Sequence, residues 1–387
     1  MLYLDNAATT PVRPEARAAM LPWLTGEFGN PSSHHTVGER AAAALADARA
    51  RVARVLGMRR SDIVFTSGGT EANNLAVKGI TLGALLGASL GAPGAARRIV
   101  TTPIEHESVL ESADYLRRLH GVDVDTVPVD GHGRVDPDAL AHALREPAAL
   151  VSIGYANNEI GTIQDIAALA AVTGAARVPL HADAVQAAGW LDLSVEGALR
   201  GVDAISIAGH KIGAPGGTGV LAVRGRIPLE PLLHGGGQEA GRRSGTESVA
   251  GAVAFATALE LAASEREAAS ARVTAIRDEF TDRVLALVPS ARVTGHPVHR
   301  LPGTASFTFE GTSGEAVLLE LERRGVVSSS GSACAAGSDE PSHVLLALGI
   351  TPDVARTAVR FTLSTTQTAN LIPVADAAAA AVAAVRG

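Results

Sequence analysis

Residues 202–224 read VDAISIAGHKIGAPGGTGVLAVR. Two apolar, β-branched runs, VDAISIA (202–208) and TGVLAVR (218–224), flank a glycine-rich segment that carries a lysine. Short apolar runs bounded by glycine and proline predict buried strands. Working outward, similar runs occur at DIVFT (62–66), RRIVTT (97–102), VDVDTVPV (122–129), ALVSIGYA (149–156) and VPLHAD (178–183). Helical patterns such as SVLESADYLRRLH (108–120) and DIAALAAVTGAA (165–176) lie between them. Strand and helix in alternation predict an α/β fold whose mostly parallel sheet is covered on both faces.

The pattern changes after residue 250. Residues 251–288 read as one long amphipathic helix, of the kind that crosses between domains. A strand (TASFTFEG, 304–311), a helix (SGEAVLLELERRG, 313–325), a strand (AVRFTLS, 358–364) and an Ala-rich helix follow. The expected organisation is a segment (1–15) packing on the small domain, a large domain (16–250) and a small α+β domain (251–387).

Composition narrows the function. The chain of 387 residues is 47% hydrophobic with a net charge of -7, which argues against a general nucleic-acid or membrane-surface binder. A single cysteine forms no internal disulfide and fits a reducing, cytoplasmic setting. The opening MLYLDNAATTPV lacks the basic and apolar regions of a signal peptide. The uncharged run 79–96 holds five glycines and Pro93, which fit a helix end and loop better than a membrane span.

Ligands of open parallel sheets bind beyond the carboxyl ends of the strands. TSGGTEANN (66–74) follows one strand and opens a helix, so Gly69, Thr70 and the helix start suit an anion, although an ordinary N-cap turn reads the same way. HADAVQ (181–186) places Asp183 and Gln186 at another strand end; Asp183 suits a protonated ring nitrogen, a metal shared with His181, or a plain cap. Only Lys78 and Lys211 are lysines, against 31 arginines. Lys211 leaves a buried strand, where desolvation favours Schiff-base chemistry, whereas Lys78 reads as a solvated cation late on a helix. His106, in IEHESV (104–109), suits ring stacking and proton transfer, or a cap. HGGGQEAGRRSGT (234–246) is a glycine-rich loop with Thr246 available to an anion. A phosphate cradle, a ring-nitrogen carboxylate, a ring-facing histidine and a Schiff-base lysine together describe a site for pyridoxal 5'-phosphate.

The lone Cys334 sits in SSSGSACAAGSDEPSHV (328–344), among small residues. Residues 329–341 span on the order of 40 Å when extended, which suits a thiol carried on an arm.

These blocks, with YLDNAATTPV (3–12), FGNPSSHH (28–35), NNEIGTIQDI (157–166), GHKIGAPGG (209–217), SSGSAC (329–334) and VRFTLS (359–364), resemble the NifS/IscS-type cysteine desulfurases. That family lies in the class V aminotransferase group of fold-type I pyridoxal-phosphate enzymes. The resemblance implies a seven-stranded large domain and a homodimer. It implies that Lys211 carries the cofactor, Asp183 pairs with its ring nitrogen, and Gln186 and Asn158 contact its ring oxygen. His106 would stack on the ring and transfer protons, and Thr70, His210 and a second subunit's Thr246 would bind the phosphate. Arg360, with Asn158, would bind substrate L-cysteine, and Cys334 would take its sulfur as a persulfide, releasing alanine. The sulfur would pass to an acceptor such as an iron–sulfur scaffold. Departures are Ala208 where the family often has serine, GAPGG (213–217), and Ala240 for a common arginine. Rival readings are a selenocysteine lyase, another class V aminotransferase, or a non-catalytic sulfur carrier.

Overall fold

The computed structural model describes residues 1–89, 96–331 and 340–386. After the short strand β1 (Leu2–Tyr3), seven strands build one sheet: β2 (Ile63–Thr66), β3 (Arg98–Thr101), β4 (Asp123–Thr126), β5 (Leu150–Gly154), β6 (Leu180–Asp183), β7 (Ala204–Ala208) and β8 (Gly219–Val223). Their order is β2-β8-β7-β6-β5-β3-β4. Only β8 runs against its neighbours, pairing antiparallel with both β7 and β2. The reason is chain length: residues 209–218 contain no crossover helix, so the chain can only return beside β7 in the opposite direction. The stretch at 202–224 is therefore a hairpin, with the lysine in its loop. The α/β class and the mostly parallel seven-stranded sheet are as expected.

Alternation along each strand feeds two cores. Ile63, Val100, Val151, Ile205 and Val220 face one cluster, closed by Leu45 and Val52 of helix Thr36–Leu56 and by Phe255 and Leu259. Val64, Ile99, Leu150, Ala204 and Leu221 face the other, closed by Leu75, Ile80, Val109 and Leu116. Strands buried on both faces explain why 202–208 and 218–224 read as unbroken apolar runs.

A second sheet has the order β12-β10-β9, formed by β9 (Ala291–Val293), β10 (Thr304–Phe309) and β12 (Ala358–Thr362). Strand β11 (Val326–Val327) pairs in parallel with β1. Phe280, Phe307, Phe309 and Phe361 fill the core beside this sheet, and Leu4 joins them. Phe280 meets Phe361 edge-on with ring centres 5.1 Å apart. The 39-residue helix Val249–Leu287 belongs to both cores, burying Phe255 and Leu259 in the first and Val273, Phe280 and Val284 in the second. Ser248 caps its start by accepting from the Gly251 N–H at 3.3 Å.

Residues 80–89 of the uncharged run are helical, and residues 90–95, where a loop is expected, lie outside the described residues. Lys78 consequently lies within the helix, at a π-turn (Leu75–Gly79), and is not a solvated terminal cation. Its Nζ donates to Asn74 Oδ1 at 2.7 Å and stands 4.3 Å from the Tyr115 ring centre. No helix among the described residues is long and apolar enough to cross a membrane.

Phe280 is fully buried and touches two other aromatic rings. Phe280→Ala should therefore cost about 3–5 kcal/mol, read as a lower urea midpoint. A change under about 1 kcal/mol would show that the second core tolerates the cavity.

Candidate active site

The carboxyl ends of β2, β3, β5, β6 and β7 lie on one edge of the large sheet, and the turns beyond them line a cleft of about 810 Å³. Asp183 is the last residue of β6, and Lys211 follows β7 by three residues in the single turn Gly209–Lys211. The TSGG turn leaves β2 and enters the helix beginning at Gly69. Close packing sets this turn. A Cβ on Gly219 would come within 2.6 Å of the Gly68 backbone, and one on Gly69 within 2.8 Å of Val185. Gly69 and Thr70 precede the first intrahelical bond, Ala72 N–H to Gly68 O, so their N–H groups belong to the orphan donors of a helix start.

Asp183 is buried and held in place. Its Oδ2 accepts from Asn73 Nδ2 at 2.6 Å, and its Oδ1 accepts from the Val185 N–H at 2.9 Å. Asn73 also donates to Ser108 Oγ at 2.9 Å, while its own Oδ1 is buried without a protein partner. His106 caps helix Glu107–His120 through Nδ1, which accepts the Ser108 N–H at 3.0 Å, and it is exposed at the cleft. Lys211 Nζ donates to the carbonyl oxygens of Ala7 and, at 2.8 Å, of Ala8. Gln186 Nε2 reaches the same Ala7 carbonyl at 3.0 Å. Burial and the neighbouring Lys211 push the His210 imidazole down to about 4, so it is neutral near pH 7.

Arg360, on β12, brings the second sheet to the cleft. Its guanidinium is buried, donating to Asp5 Oδ1 at 2.7 Å, Asn158 O at 2.8 Å and Gly331 O at 3.1 Å. Lys211, Asp183, Gln186, His106, Gly69, Thr70, His210, Asn158 and Arg360 thus all line one cleft. Thr246 does not: it is exposed and lies off the cleft of its own chain. Cys334 lies outside the described residues.

His181 is no metal ligand. Ser152 and Ser206 hydroxyls occupy its two ring nitrogens, each at 2.9 Å, and burial lowers the imidazole to about 4. The same bond commits the Ser206 hydroxyl, so it does not stand in for the serine that Ala208 replaces.

Several cleft residues had no distinguishing sequence signal. Glu105 is buried, receives Thr102 Oγ1 at 2.6 Å and the Gly154 N–H at 2.7 Å, and is pushed up to about 8, chiefly by burial. Glu159 is buried and raised as well, mainly by burial, and accepts from the Ser342 hydroxyl. Both stand inside motif blocks, but Glu105 bonds Gly154 across 49 residues as well as the nearby Thr102, and Glu159 bonds Ser342 across 183.

The donor set fits pyridoxal 5'-phosphate. An amine, a fixed carboxylate backed by an unpaired buried amide oxygen, and a glycine-shaped helix start share one cleft.

Comparison with known proteins agrees with this reading. The family model described as aminotransferase class-V matches residues 2–373. A cysteine desulfurase IscS of Dictyoglomus turgidum is 42% identical over 362 residues, covering 94% of this chain and 89% of its own. An IscS-like cysteine desulfurase of Mycobacterium tuberculosis is 44% identical over 370 residues, covering 95% and 92%. A solved NifS-like protein matches with a TM-score of 0.86 at 33% identity, covering 100% of this chain and 98% of the other.

His181 yields a pH prediction. Its folded pKa is about 4 against an ordinary 6.5, so the unfolded chain binds the proton first as pH falls below 6.5. Stability should drop through that window, by on the order of 2 kcal/mol at about pH 5 from this group. Urea midpoints at about pH 7 and pH 5 should differ less in His181→Gln than in wild type. Equal differences would refute the assignment.

Proposed function

We infer that this chain, which belongs to the class-V aminotransferase family, is a pyridoxal 5'-phosphate-dependent cysteine desulfurase. The observation that carries the reading is the meeting of Lys211, Asp183 and Arg360 in one cleft. In this assignment Lys211 holds the cofactor covalently and Asp183 accepts the ring N–H. Gln186 and Asn158 bond the ring oxygen. Gly69, Thr70 and the neutral His210 receive the phosphate. Thr246, exposed on its own chain, is assigned to the cleft of a second copy in a homodimer. When bound, the cofactor supplies an electron sink for bond changes at the substrate's carbons.

The chain's residues do the rest. Arg360 orients L-cysteine through its carboxylate, a planar pairing suited to a guanidinium. His106 moves a proton at the exposed face of the site. The Cys334 thiolate attacks the substrate sulfur: the carbon–sulfur bond breaks, a sulfur–sulfur bond forms on Cys334, and the electron pair left on carbon takes a proton. Alanine departs, and a thiolate of an acceptor protein in the cytoplasm, such as an iron–sulfur scaffold, attacks the outer sulfur of the persulfide, taking that sulfur and leaving the Cys334 thiolate.

Lys211→Ala should abolish the visible absorbance of the cofactor, whereas a colourless wild-type protein would favour a carrier without catalysis. Cys334→Ala should keep the absorbance and lose most sulfide release from L-cysteine in the presence of a reductant. Undiminished release would sink the assigned nucleophile.

A further inference from the structure

Asp183 and His106 stand on different turns of the cleft, and one chain of hydrogen bonds joins them. Asn73 Nδ2 donates to Asp183 Oδ2 at 2.6 Å and to Ser108 Oγ at 2.9 Å. Ser108 Oγ in turn lies 2.8 Å from His106 Nδ1, and the Ser108 N–H donates to the same nitrogen at 3.0 Å. Asn73 and Ser108 are buried, at 2% and 7% exposed, whereas His106 is exposed at the cleft.

The direction of each bond follows from its neighbours. Turning the Asn73 amide over would set its oxygen against a carboxylate oxygen, so the nitrogen faces Asp183. That nitrogen carries two N–H groups, and the second occupies a lone pair of Ser108 Oγ. A backbone N–H only donates, so the Ser108 N–H makes His106 Nδ1 an acceptor. The Ser108 hydroxyl therefore donates to Nδ1 as well. A neutral imidazole that accepts at Nδ1 carries its hydrogen on Nε2. Among the described residues none bonds Nε2, which leaves that N–H to the cleft.

We infer that Ser108, oriented by Asn73, is a positioning residue that holds His106 as a donor, offering the substrate an N–H at Nε2 in place of a lone pair. The inference rests on the desulfurase reading and deepens it: the proton that His106 contributes to the reaction is the one on Nε2. Two donors on Nδ1 draw charge from the ring and strengthen the N–H opposite. A neutral imidazole so held suits negative charge that develops at the substrate. The same chain of bonds ties the ring to Asp183, the carboxylate assigned to the cofactor nitrogen, so the two groups keep one relative placement.

The test follows the ring nitrogens of the cofactor-loaded protein by NMR, with isotope-labelled histidine and at a pH above the ordinary histidine range. His106 is identified by the signals that His106→Gln removes. In wild type it should show a protonated Nε2 and an unprotonated, hydrogen-bonded Nδ1. Ser108→Ala keeps the backbone donor and loses the hydroxyl. Its Nδ1 signal should move toward that of a free ring nitrogen, and alanine formation from L-cysteine should slow about fivefold, the effect of one net hydrogen bond. Cofactor absorbance and the KM for L-cysteine should stay at wild-type values. A wild-type ring protonated on Nδ1 would overturn the proposal, even if the variant fails to fold. So would a Ser108→Ala protein in which either the ring signals or the rate is unchanged. Loss of absorbance in that variant would overturn it too, by placing Ser108 in cofactor binding. A wild type that forms no alanine from L-cysteine would instead defeat the desulfurase reading, with the ring signals still deciding the tautomer.

Discussion

The cleft depends on the burial of one charge. Arg360 is 1% exposed, and a guanidinium so placed is tolerable only if most of its donors are met; here Nη1 and Nη2 are bonded and the buried Nε, among the described residues, is not. Asp5 supplies the counter-charge, and the carbonyls of Asn158 and Gly331 take further donors. These partners come from the N-terminal stretch, from the turn after β5 and from the approach to the cysteine segment. One cation therefore fixes three separate pieces of chain against β12. Removing one member of a buried pair typically costs about 3–5 kcal/mol, enough to loosen all three.

The N-terminal stretch is the other half of that arrangement. Asn6 Nδ2 donates to Thr362 O at 2.8 Å, and the Ala7 N–H donates to Thr362 Oγ1 at 2.9 Å. Its carbonyls then face the large sheet, where Lys211 and Gln186 bond them, and Thr10 donates to His210 O at 2.8 Å. Residues 5–10 are thus bonded on one side to the strand of Arg360 and on the other to the loop of Lys211. The lysine's placement is set by backbone carbonyls as much as by its own hairpin.

Much of this was legible in the sequence. Seven apolar runs, the strand-end positions of Asp183 and Lys211, and the change of pattern near residue 250 each follow from local periodicity. The strands are shorter than their runs because apolar character continues past the last ladder bond; β5 ends at Gly154, two residues before the run does. What stayed hidden is non-local. Asn73 reaches Asp183 across 110 positions and Asp5 reaches Arg360 across 355, separations that no spacing rule covers. Lys78 was misread for the same kind of reason. The glycines of residues 79–96 signal a helix end locally, but Leu75 and Ile80 pack with Val64, Ile99 and Leu150 on one face of the large sheet, and the helix runs onward.

The long helix Val249–Leu287 has a consequence of its own. Each residue of an α-helix advances the chain by about 1.5 Å and turns it by about 100°. With one end locked into each core, the number of residues between Leu259 and Val273 fixes the angular phase at which the second sheet meets the first. A single inserted or deleted residue would not merely lengthen or shorten a connection. It would rotate β12 about the helix axis by more than a quarter turn and carry Arg360 away from Lys211. The helix is a keyed shaft, and its length is as much a part of the site as any side chain in it.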